Sequence, residues 1–152
     1  MSAAISIEQE SRTVDRLIET LEQEQSCLIQ ADFEQVQTLL EEKSTLLQSL
    51  NQLSQERYQW LSTAGYQANE SGMSDWLKEN REHALQTSWL TMQQALLKAK
   101  ELNRINGMLI NKHLTRNQQL LSTLRGQTEI DQFYGPSGQT TSNGRLRGAV
   151  IA

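Results

Sequence analysis

Residues 85–124, LQTSWLTMQQALLKAKELNRINGMLINKHLTRNQQLLSTL, decide the fold. One series runs through them: Leu85, Met92, Leu96, Ala99, Asn103, Asn106, Ile110, Leu114, Asn117, Leu121 and Leu124. Each step is three, four or seven residues, the spacing that puts side chains on one face of a helix. With Ser74 or Asp75 as the cap, the pattern predicts a helix over 74–125. At the α-helical rise that helix is about 75 Å long, against about 45 Å for the helix predicted at 33–62.

The remaining helices follow from the same periodicity. Ile7, Val14, Ile18, Leu21 and Leu28 give a first helix over about 4–29. Asp32, with Gln35 three residues on, has the form of a capping box, and Val36, Leu39, Leu40, Leu46, Leu47, Leu50 and Leu53 then restart the seam. The two helices are expected to form a tight antiparallel hairpin. Residues 62–73, with Gly65 and Gly72, read as a loop. Trp60, Trp76 and Trp89 flank this corner and are expected to pack there. Leu90 and Leu97 lie off the main seam, where a helix touching two neighbours would place them.

The expected fold class is all-α: an elongated antiparallel three-helix bundle or coiled coil, with a long third helix and a flexible C-terminal tail. One Pro and 5% aromatic residues in 152 suit no sheet-rich fold. Residues 1–138 are read as a single helical domain. From Gly126 the composition changes, with Gly126, Gly135, Pro136, Gly138, Gly144 and Gly148, and 139–152 is read as disordered.

Composition also bounds the chemistry. A net charge of -4 argues against nucleic acid, which needs a basic face. No apolar run approaches the roughly 20 residues of a membrane span, and MSAAISIEQESR lacks a signal pattern, so a cytoplasmic location without membrane insertion is expected. Cys27 is alone and reads as a small core residue. His83 and His113 stand far apart, without the Glu-x-x-His pairs of a bundle metal site. No phosphate loop or Cys/His pair is present, so no catalytic residue, metal or cofactor is assigned.

The length difference is the functional signal. If the second and third helices pack antiparallel, the third leaves cover near position 105. Ile105, Met108, Leu109, Ile110, Leu114, Leu120, Leu121 and Leu124 then stand on an uncovered stretch, and burying each such side chain is worth roughly 1.5–3 kcal/mol. A second copy of the chain, the folded-back tail or another protein must cover them. Asn103, Asn106 and Asn117 weaken the seam while fixing its register, as suits a contact that forms and releases. Met108 on an adjoining face suits an adaptable surface for a partner helix.

Three stretches together resemble the FlgN family of flagellar type III export chaperones. They are Ala31-Asp32-Phe33-Glu34 with Leu39-Leu40-Glu41-Glu42-Lys43 and Leu46-Leu47; Asn103-Arg104-Ile105-Asn106-Gly107-Met108-Leu109-Ile110 with Asn117 and Leu120; and Tyr134-Gly135-Pro136-Ser137-Gly138-Gln139. Ala31 departs from the glycine frequent in the family before the acid. The resemblance implies a cytoplasmic chaperone that keeps the hook-filament junction proteins FlgK and FlgL unassembled and delivers them to the export gate protein FlhA. It places the client on Asn103, Ile105, Asn106, Met108, Leu109, Ile110, Leu114, Asn117, Leu120, Leu121 and Leu124, and the gate contact on Tyr134. A structural coiled-coil homodimer and a FliT-like chaperone for another flagellar client are the alternatives, and a homodimer of the client-free chain is compatible with either role.

Overall fold

A computed structural model describes residues 2–133, and these form four helices and no strand. They are α1 (Ala3–Gln30), α2 (Phe33–Thr63), α3 (Glu70–Asn80) and α4 (His83–Phe133). The chain divides into two compact units, residues 1–109 and 110–152. The expected disordered tail at 139–152 and Tyr134 lie outside the described residues.

α1 and α2 start and stop within one residue of the positions that periodicity assigned. Asp32 caps α2, its carboxylate accepting from the Gln35 amide at 3.3 Å. Ala31 makes the turn in the left-handed region, with φ at 57°, and its amide donates back to Leu28. A Cβ is costly in that conformation, which is why glycine is the usual residue there.

The third helix is corrected in three respects. It is interrupted, the long helix starts at His83 rather than at 74, and it continues through Gly126 to Phe133 rather than ending at 125. Ahead of it stands α3, which begins inside the expected loop because Asn69, not Ser74 or Asp75, is the cap, accepting from the Gly72 amide at 2.8 Å. Gly72 is a packing glycine: a Cβ there would lie 1.9 Å from the Gln67 carbonyl oxygen. Arg81, with φ at 39°, ends α3 without glycine or proline.

Within residues 1–109, two apolar clusters hold α4 to the hairpin. Ile7, Val14, Leu61, Met73, Leu77, Trp89 and Met92 form the larger one, with Trp60 and Trp76 edge-to-face at 5.0 Å against it. Leu17, Leu21 and Ala99 form the smaller, with Leu46, Leu50 and Leu102 packed around them. Trp89 and Met92 cluster with Ile7 and Val14 while Ala99 clusters with Leu17 and Leu21, so α4 runs parallel to α1. Trp89 meets Arg57 while Asn103 meets Lys43, so it runs antiparallel to α2. Leu90 and Leu97, expected to touch a second neighbour, are instead about two-thirds exposed, because the hairpin covers only the Met92–Ala99 side of α4.

Four helices meet at one buried charge. Arg57 is 2% exposed and lies between Tyr58 and Trp89, its guanidinium carbon 4.8 and 4.7 Å from the two ring centres. Its Nε donates to Glu10 at 2.7 Å, and Nη2 donates to Glu70 at 3.0 Å. Ser6 and Ser54 donate to the same Glu10 carboxylate, and Tyr58 and Gln93 donate to that of Glu70. Burial pulls the Arg57 pKa down, and the bonds to Glu10 and then Glu70 more than offset it, so the guanidinium stays charged. Glu10, Arg57 and Glu70 went unread in the sequence because single charges on three helices carry no spacing signal.

Candidate functional site

The seam positions of α4 divide by what covers them. Met92 and Ala99 are buried among apolar neighbours, and Leu96 is partly buried. Asn106 is fully buried and is the last buried side chain along the described part of α4. Its Nδ2 donates to the Leu21 carbonyl of α1 at 2.9 Å. Asn103 is exposed, and its Oδ1 accepts from Lys43 at 3.2 Å.

Lys43 joins this layer to a second buried charge. Its ammonium donates to Glu24 Oε1 at 3.2 Å, while Glu24 itself is completely buried. Glu24 Oε2 lies 3.1 Å from the ammonium but without hydrogen-bond geometry, and Asn106 Oδ1 also lacks a partner among the described residues. An acceptor sealed from water in this way costs roughly 1–3 kcal/mol. A buried ion pair gains little net stability, since desolvation offsets the attraction. Gly107 follows directly, and a Cβ there would meet nothing within 4 Å. Glycine inside a helix costs about 0.5–1 kcal/mol relative to alanine, and no close approach among the described residues explains it.

The remaining candidate residues are accessible to different degrees. Ile105, Leu109 and Ile110 are partly buried, and Asn117 is exposed. Met108, Leu114, Leu120, Leu121 and Leu124 are each more than half exposed. The helical repeat aligns Ile110, Leu114, Asn117, Leu121 and Leu124 on one face, with Leu120 beside it. Within the second unit, four large apolar side chains exposed to that degree within 11 residues, Leu114, Leu120, Leu121 and Leu124, form a patch of the kind that marks an interaction surface. Just before this face, Arg104 bonds Glu101 at 2.6 and 2.9 Å and holds its carboxyl below the ordinary value.

Nothing in this geometry assembles a reaction centre. Among the described residues no group of three His, Cys, Asp or Glu side chains is placed to hold a metal, and no helix is long and apolar enough to cross a membrane. The described residues define a helical protein that presents an exposed apolar helix face. The FlgN protein family matches residues 4–142, and the chain belongs to it. It is 32% identical over 126 residues to the flagella synthesis protein FlgN of Salmonella typhimurium (strain LT2), covering 82% of this chain and 78% of that protein. It is 29% identical over 141 residues to the flagella synthesis protein FlgN of Escherichia coli (strain K12), covering 91% and 90%. No solved structure matches. Membership makes this a flagellar export chaperone and not an enzyme.

Proposed function

We propose that the chain acts in the cytoplasm, binds the hook-filament junction proteins FlgK and FlgL through residues 103–124 of α4, prevents their premature assembly and delivers them to the export gate protein FlhA. One observation carries this reading: the apolar face holding Leu114, Leu121 and Leu124 is exposed in a chain of the FlgN family. A client's terminal amphipathic helix laid along that face buries the surface with which the client self-associates, and its burial supplies the affinity. Ile105, Met108, Leu109, Ile110 and Leu120 border the contact, and Asn103, Asn106 and Asn117 set its register and keep it releasable. Tyr134 is assigned to the gate as an aromatic anchor.

Light scattering tests the reading on the intact chain, with and without peptides from the C-terminal helices of FlgK and FlgL. A 1:1 complex, lost in the Leu114→Ser/Leu121→Ser variant, is expected. A tight homodimer indifferent to both peptides would assign the same face to a second copy and replace the chaperone reading with a structural coiled coil.

A further inference from the structure

α4 is held to the hairpin by two contacts of unlike chemistry. Around Trp89 and Met92 the contact is apolar and is closed by the Arg57 network, in which one buried atom, Arg57 Nη1, lacks a hydrogen-bond partner among the described residues but belongs to the guanidinium between the Tyr58 and Trp89 rings. Around Asn106 it is mixed: Leu102 packs on the Leu17, Leu21 and Ala99 cluster, beside a polar layer in which a side-chain amide meets the Leu21 carbonyl and Lys43 stands between Glu24 and Asn103. Parting an apolar contact gives its surface to water, which opposes the opening. Parting the polar layer has the reverse effect on its orphaned groups. Water reaches Asn106 Oδ1 and Glu24 Oε2, neither of which has a hydrogen-bond partner in the closed layer, and rehydrates the ion pair.

Gly107 adds an independent weakness at the same place. Its backbone is helical and its Cβ position is open, so neither a left-handed turn nor close packing among the described residues calls for glycine. What glycine does there is lower the cohesion of the helix one residue after the last buried side chain.

We propose that residues 100–109 of α4 form a release segment, which parts from the hairpin while Trp89–Ala99 stays packed, and that its opening lengthens the client-binding face back to Leu102. The inference rests on the client-binding reading of α4 and resolves a tension within it. Asn106 belongs to the face a client is proposed to occupy, yet it is fully buried. Opening turns Asn106 and Leu102 from hairpin contacts into client contacts, and closing restores them when the client leaves.

Hydrogen exchange on the intact chain, read with the affinity for the FlgK C-terminal helix peptide, tests this. Amides of 102–109 are expected to exchange at least about tenfold faster than those of 89–99, and Asn106→Leu to remove that difference while weakening the peptide about fivefold or more. Glu24→Leu with Lys43→Met, which replaces the ion pair by apolar contact, is expected to act in the same way and serves if Asn106→Leu fails to fold. Equal exchange of the two segments in the wild-type chain overturns the proposal. So does exchange slowed by Gly107→Ala but by neither layer variant, because simple fraying of the helix behaves in that way. Slowed exchange with unchanged affinity overturns the lengthened face. A wild-type chain that ignores the peptide sinks the client-binding reading and the lengthened face together, while exchange alone still decides whether the segment opens.

Discussion

The corner around Arg57 and the α4 segment 110–127 place unlike residues against expectation, charge inside the one and apolar side chains outside the other. At the corner, charged and aromatic side chains from four helices are sealed together, and Arg57 has Glu10, Glu70 and two rings as partners. Along 110–127, leucines at helical spacing are left more than half exposed. The difference teaches that hydropathy does not decide which residues go inside. A buried charge is tolerated where opposite charges and ring faces surround it, and an apolar row can stand exposed among the described residues.

Arg57→Ala is the strongest way to break this contrast. It leaves Glu10 buried without its cation and is expected to cost about 3–5 kcal/mol in urea denaturation, since breaking one partner of a buried pair strands the other. Gly72→Ala strikes the same corner through α3. The new Cβ collides with the Gln67 carbonyl, and a loss of about 1–3 kcal/mol is expected from the same measurement.

Tyr58→Phe removes the hydroxyl that donates to Glu70 and is expected to cost about 1 kcal/mol. It also carries a pH signature. Burial, then the bond to Glu70, raises the Tyr58 pKa, so the folded state favours the protonated phenol. That contribution is fully present below the unfolded value of about 10 and is lost as pH rises through the folded one. Between pH 9 and 11 the wild-type denaturation midpoint should therefore fall more steeply than that of Tyr58→Phe.

Ala31→Gly is expected to raise stability by about 0.5 kcal/mol, because glycine relieves the left-handed turn and gives back part of the gain as unfolded-chain entropy. Leu114→Ser with Leu121→Ser sharpens the contrast from the other side. Each exposed change should alter stability by less than about 0.5 kcal/mol, while affinity for the client peptides falls at least about tenfold. A melting point lowered as far as by Arg57→Ala would show that the row is core after all.

The hairpin was legible in the sequence because its signals are local. Asp32 and Gln35 cap α2 across one turn, and Val14, Leu21, Leu28, Val36 and Leu39 repeat on the seam. Asn69 also had a local signal, an asparagine followed by Glu70, but Gly72 three residues on resembled a loop residue. Its actual role, making room for the Gln67 carbonyl, depends on how the chain curls back. The break at Arg81 left no trace in composition. Of the candidate site, the repeat from Ile110 to Leu124 could be read directly, whereas the burial of Asn106 could not, since a seam asparagine looks the same whether it faces a carbonyl or water.

By itself the sequence determined that this chain is helical, where its first two helices lie, and that its last described helix carries an apolar row at helical spacing. These follow from periodicity and chain geometry, which act between residues a few positions apart. Only the tertiary structure decided which members of that row are inside, that Asn106 is bonded to Leu21, and that Arg57 ties four helices together. Those outcomes depend on pairings such as Leu21 with Asn106 and Glu10 with Arg57, whose partners stand 85 and 47 residues apart and meet only when the helices pack.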